Sequence, residues 1–172
     1  MRWSEIGGRR DSMSRTMDVV GERWTLLILQ EIFLGVRRFE ELSARLGVAR
    51  NILAARLQRL VQHRILVRVR YHERPPRYEY RLTERGLDLF PVILVLMKWG
   101  DRWLATDGPS VRPHHVPCDQ VADPVLRCAH CGGAIGHENT RAVPTVADTL
   151  QPPGGRKARA HPGRHPARPA HG

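Results

Sequence analysis

The stretch GVRRFEELSARLGVARNILAARLQRLVQHRILVRVRYHERPPRYEYRL, residues 35–82, changes its hydrophobic period partway along, and that change decides the fold. In RFEELSARLG the residues Phe39, Leu42 and Leu46 share one helical face, and Gly47 ends the helix. From Arg50 to His63 the period stays helical, with Leu53, Leu57, Leu60 and Val61 forming an apolar stripe. ILVRVRYHE at 65–73 then alternates with period two, and YEYRL at 78–82 alternates again. Between them RPPR at 74–77 is not helical, because two prolines remove donors and push Arg74 into extended backbone. Two short helices, a tight turn and a proline-tipped hairpin make a winged helix-turn-helix. The expected fold class is therefore mainly α with a small β-hairpin wing, α+β.

Working outward, helical spacing predicts helices at about 14–20 and at 23–34, where Trp24, Leu27, Ile28, Glu31 and Ile32 keep step and Gly35 suits a C-cap. Thr83 suits the N-cap of a last helical region reaching about Leu104, with a kink or break expected at Pro91. Beyond Leu104, Gly, Pro and His become frequent and helical periodicity ends. The organisation read from this is a flexible N-terminus at 1–10, a DNA-binding and dimerisation domain at 11–104, a small Cys/His extension at 105–150, and a disordered basic Pro/Gly/His tail at 151–172.

The chain carries 28 Lys+Arg against 17 Asp+Glu, a formal charge of +11, which points to an anionic partner. Residues 37–85 alone hold 13 Arg against 5 Glu, so the excess of the first domain sits on the two helices and the wing. The longest apolar run, Val92 to Met97, is six residues, whereas a membrane span needs about 20. No membrane partner is expected. MRWSEIGGRRD at the start has no apolar stretch of signal-peptide length, so the expected location is the cytoplasm.

With Leu53, Leu57 and Leu60 inward, the helix at 50–63 turns Asn51, Ala55, Gln58, Arg59 and Gln62 outward, and Arg50 stands at its start. Asn, Gln and Arg read adenine and guanine edges bidentately, and a small Ala55 permits close approach to a thymine methyl. A merely solvated face would carry similar residues; the flanking cations favour double-stranded DNA. Arg37 and Arg38 precede one helix, and Arg74 and Arg77 flank the wing tip, where a duplex backbone and minor groove would lie.

MDVVGERWTLLIL at 17–29, the stretch 35–66 and YHERPPRYEYRLTERGLDLFPVILVLMKWG at 71–100 resemble the HxlR-type winged-helix transcriptional regulators, relatives of the MarR group. The resemblance implies a homodimeric bacterial regulator on pseudo-palindromic operator DNA, with helices near both ends of the domain forming the dimer interface. Many members place a sensing cysteine shortly before the first helix; Asp11 falls at about that position here, so thiol sensing by that route is not expected. The small-molecule effector is not named by the sequence.

Dimerisation has its own signal. Val92 to Met97 surround the last helix with apolar groups, more than one small domain covers, so Ile93, Leu94, Leu96, Met97, Trp99 and Trp103 are expected at a subunit interface, with a central core helix as the alternative. All three cysteines lie in HHVPCDQVADPVLRCAHCGG, as His115-x2-Cys118-x9-Cys128-x2-Cys131. Two such pairs suit one structural zinc held by His115, Cys118, Cys128 and Cys131; free thiols in a poorly ordered extension are the bland alternative. Asp119 stands where a metal-binding knuckle favours Gly, and His114 or His130 is an alternative ligand to His115.

The expected function is a sequence-specific DNA-binding transcriptional regulator, a repressor acting as a homodimer. The alternative is a zinc-containing nonspecific nucleic-acid-binding or nucleoid-associated protein. No nucleotide-binding glycine loop, nucleophile elbow or carboxylate pair supports an enzyme.

Overall fold

The computed structural model describes residues 11–109 and 111–143. The expectations for 1–10, for the end of the extension at 144–150 and for the tail at 151–172 lie outside these residues. Four helices come first: α1 (Ser12–Val20), α2 (Thr25–Phe33), α3 (Phe39–Leu46) and α4 (Arg50–Gln62). They are followed by β1 (Leu66–His72), β2 (Arg77–Leu82), a single turn α5 (Glu84–Leu87) and α6 (Phe90–Trp103). The extension adds a small hairpin, β3 (His114–His115) and β4 (Gln120–Val121), and a 3-10 turn at His137–Asn139.

α1 begins earlier than the periodicity predicts because Asp11 caps it, its carboxylate accepting the Ser14 amide at 2.8 Å. The position that resembles a sensing cysteine is thus a helix cap. α2 begins later than predicted because Trp24 adopts φ 79°, in the left-handed region, and so stands outside the helix. α3 ends at Gly47, whose φ of 60° suits glycine, and its amide closes on the Ser43 carbonyl at 3.1 Å. Val48, 5% exposed, then anchors the short turn into α4.

The core is continuous through the domain. Ile28, Leu29 and Ile32 of α2 meet Leu42 of α3, the α4 stripe Leu53, Leu57 and Leu60, and Ile65 and Leu66 at the base of the wing. This burial confirms the phase assigned to α4. β1 and β2 pair antiparallel from Leu66↔Leu82 to His72↔Arg77, with an irregularity between Arg70 and His72. The free edge of β2 takes up the segment before α3: Tyr80 donates its amide to the Arg37 carbonyl at 2.8 Å, and Arg38 bridges Glu79. The wing is therefore fastened to the helix-turn-helix rather than projecting as an isolated ribbon.

Thr83 caps α5 as expected, its hydroxyl accepting the Gly86 amide at 3.1 Å, and it also donates to the Arg64 carbonyl at 2.6 Å. The expected kink sits slightly earlier than Pro91. The chain breaks at Asp88 and Leu89, and Pro91 lies in the first turn of α6, where its missing amide costs no helical bond.

Candidate nucleic-acid interface

α4 presents Asn51, Ala55 and Gln58 to solvent on the side opposite its buried leucines. Around this face the sequence places cations at the start of α4, before α3 and on the wing, and the structure shows what each guanidinium does. Arg50 binds Glu40 of α3 with both terminal nitrogens, Nη2 donating to Oε1 at 2.7 Å, and lies 4.9 Å from the Phe39 ring centroid. Arg50, first by its hydrogen bonds and then by its charge, holds the Glu40 carboxyl below its ordinary value. Arg38 stacks over Tyr71 of β1 at 4.7 Å and stands 3.7 Å from Glu41. Arg37 is exposed beside it, and Arg74 and Arg77 are exposed at the wing tip. Arg38, Phe39, Tyr71, Arg77 and Tyr78 together line a cleft of about 530 Å³ between α3 and the wing.

Arg59 has a contact that the sequence reading did not include. Its Nη2 donates to the Asp18 carbonyl of α1 at 2.5 Å and lies 3.7 Å from the Asp18 carboxylate, while Nε is buried without a partner. It fastens α4 to α1 from the flank of the face that carries Asn51, Ala55 and Gln58. The helical wheel separated inward from outward but carried no information about the lateral neighbour. Arg56, three residues earlier on the same flank and absent from the sequence reading, behaves alike: Nη2 meets Glu22 at 2.8 Å and Nε meets the Arg23 carbonyl at 3.4 Å. A second residue absent from that reading is Arg68, whose guanidinium stacks over Tyr78 at 3.6 Å. The signal for Arg68 lies in the two alternating runs, which put Arg68 and Arg70 on one face of β1 and Tyr78 and Tyr80 on one face of β2; the register Arg68↔Tyr80, Arg70↔Tyr78 joins those faces and leaves Tyr78 diagonal to Arg68.

The residues expected at a dimer interface divide among three surroundings. Ile93 is 4% exposed and belongs to the protomer's own core, which corrects its assignment. Met97 is half-buried against that core, and Leu94 is half-buried beside the extension. Leu96, Trp99 and Trp103 are exposed, and with Val92 they form a stripe spaced four, three and four residues apart. An amphipathic helix with its own core-facing side thus replaces the all-round apolar helix read from Val92 to Met97.

In the extension the cysteines and histidine form two local turns. The Cys118 and Asp119 amides donate to the His115 carbonyl at 3.1 and 2.9 Å, Asp119 taking φ 51°, and His115 Nδ1 lies 3.3 Å from Cys118 Sγ. The second turn closes through Gly132 N to Cys128 O at 2.8 Å, with Gly132 at φ 70°. The main-chain amides of Cys131 and His130, and then the Cys131 thiol, hold the Cys128 thiol below its ordinary value. Each turn brings together donors suited to a metal. Among the described residues, however, no three His, Cys, Asp or Glu side chains converge as a group able to hold one.

A family model described as HxlR-like helix-turn-helix matches residues 19–108. An uncharacterized HTH-type transcriptional regulator of Mycobacterium tuberculosis is 49% identical over 135 residues, covering 78% of this chain and 85% of its own. The crystal structure of PA1607, described as a candidate transcription factor, superposes with a TM-score of 0.69 at 36% identity, over 78% of this chain and 94% of that one. A MarR-family candidate regulator from Porphyromonas gingivalis gives a TM-score of 0.50 at 30% identity, over 55% of this chain and 94% of its own. The matched span covers both helices of the motif, the wing and α6, so the chain belongs to the HxlR-like helix-turn-helix family of transcriptional regulators, proteins that bind DNA rather than catalyse a reaction.

Proposed function

We propose that the chain is a homodimeric, sequence-specific regulator that binds pseudo-palindromic operator DNA, each protomer placing α4 in a major groove and its wing over the adjoining backbone. The observation that carries this reading is the exposed Asn51–Ala55–Gln58 face of α4, together with the exposed Arg37 and Arg38 before α3 and the exposed Arg74 and Arg77 at the wing tip. Amides facing base edges supply discrimination, and guanidinium groups on the flanks supply register and affinity. Glu40 and Glu41 stand beside these cations, so phosphates would displace exposed carboxylates from Arg50 and Arg38. A dimer seated over a promoter excludes polymerase, and repression is the outcome we propose. Such work places the protein in the cytoplasm, and no helix among the described residues is long and apolar enough to cross a membrane.

The exposed Val92, Leu96, Trp99 and Trp103 stripe supports the dimer. Sedimentation should give a dimer that Trp99→Arg converts to monomer; a monomer for the unsubstituted chain contradicts this part. For DNA, the purified chain should prefer its footprinted genomic site over scrambled duplex by about 10³-fold or more at fixed salt. Equal affinity would favour the nonspecific nucleic-acid binder instead. A structural zinc on His115, Cys118, Cys128 and Cys131 is a separate proposal, supported by the two preformed turns alone; it requires those turns to approach one another.

A further inference from the structure

A cavity of about 450 Å³ lies between α6 and the extension. One wall is the flank of α6 that carries Leu94, Met97 and Arg102; the other is formed by Val111, Arg112 and the β4 end of the small hairpin, Val121 and Ala122. The walls are latched together. Lys98 of α6 pairs with the Asp123 carboxylate and donates to the Pro124 carbonyl at 3.1 Å, so one cation spans the gap at its edge. The cavity is not the space at the wing and shares no residue with the face proposed for DNA.

Its size falls within the range of small-molecule sites, about 300–1,000 Å³, and its lining is mostly aliphatic with a few charged groups at the margin, the composition such sites share. The charges are unequal. Lys98 and Asp123 satisfy each other; Arg102 stacks over Trp103 at 4.8 Å, and Arg102, Arg112 and Asp101, all on the lining, form no ion pair among the described residues. The margin therefore has a surplus cation beside an apolar chamber.

We infer that this cavity is a binding site for a small amphipathic anion, a flat or aliphatic body seated against Leu94, Met97 and Val121 with one carboxylate or sulfonate directed to Arg112. Arg112 supplies a planar donor pair to the anionic group, which a neutral ligand of equal shape leaves unmatched. Because α6 forms one wall and the extension the other, an occupant bridges the helix carrying the exposed apolar stripe to the hairpin of His114–Val121. The inference stands whether or not the chain binds operator DNA.

The test uses the full chain with naphthoate as probe and naphthalenemethanol as its neutral counterpart, followed by calorimetry and by amide chemical shifts. Naphthoate should saturate at one molecule per chain in the millimolar range or tighter, with the largest shifts at Val111, Val121 and Ala122. Arg112→Gln should weaken it about tenfold, a change equivalent to about 1.4 kcal/mol. Val121→Arg should abolish saturation, and Leu87→Gln, at an exposed apolar site elsewhere, should not alter it. The shift map of the unsubstituted chain decides the location even where a variant fails to fold. Absence of saturable binding, shifts centred away from these residues, or indifference to Arg112→Gln and Val121→Arg would overturn the site. Equal binding of the neutral probe would overturn its preference for anions.

Discussion

The Arg50 guanidinium holds the Glu40 carboxylate with two nitrogens, joining the first turn of α4 to the first turn of α3 at the edge proposed to meet DNA. The pair lies in the open, where an ion pair is readily exchanged for a phosphate. Because Arg50 lowers the Glu40 pKa from its ordinary 4.5, the pair contributes fully above that value and is lost as pH falls through the lower folded value. Carbon-detected titration of Glu40 should give a midpoint below 4.5 that returns to it in Arg50→Gln. A Glu40 midpoint unmoved by that substitution would mean that the two side chains do not meet in solution.

Arg59 is expected to behave as a fastening between α4 and α1. Arg59→Ala should cost about 1 kcal/mol of stability and weaken binding to operator and scrambled DNA alike, since it removes the Asp18 contacts and not a base contact. Thermal unfolding combined with binding to both duplexes measures this. Loss of preference at one or two base pairs, with unchanged melting, would restore Arg59 to the reading face.

Gly86 is buried under the wing base. A Cβ built there would lie 2.3 Å from the Ile65 carbonyl oxygen, a backbone atom that cannot swing aside. Gly86→Ala should therefore destabilise the domain by about 1–3 kcal/mol, as overpacking does. Gly100, on exposed α6 with nothing near a Cβ, is the comparison: Gly100→Ala should be neutral or stabilising in chemical denaturation. Similar midpoints for the two variants would contradict the packing described for α5.

Metal analysis addresses the extension. Protein purified without added zinc should carry about one zinc per chain, and Cys131→Ser should lower it, because four protein ligands make a closed structural site. The melting of the first domain should survive chelation, since its core ends at Ile93. Zinc near zero, unchanged by Cys131→Ser, would mean that the two turns stay separate and the thiols are free.

The sequence reports periodicity well and lateral neighbours poorly. Leu53, Leu57 and Leu60 set the phase of α4 because a 3.6-residue stripe has one inward direction, and all three are buried. The wing was equally legible, since two alternating runs around Pro75 and Pro76 leave little but a hairpin. The contact of Arg59 with Asp18, 41 residues away, is one that no local pattern records. Ile93 was misplaced because a run of six apolar residues hides which one faces the core; contact with the core settles it. The cavity beside α6 depends on how the extension docks through Lys98 and Asp123, again a long-range contact.

The division of labour across the interface is the central claim, and a pair of substitutions measures it directly. Binding of the operator and of scrambled duplex is followed across a salt series for Gln58→Ala and Arg77→Ala, both at exposed positions. Gln58→Ala should lose about 1–3 kcal/mol on the operator alone, with the nonspecific affinity and its salt dependence intact. Arg77→Ala should weaken both duplexes together and reduce the magnitude of the log–log salt slope by about 0.9. Equal losses on both duplexes for Gln58→Ala would show that α4 does not read bases, and the account of this chain as a sequence-specific regulator through that helix would be wrong.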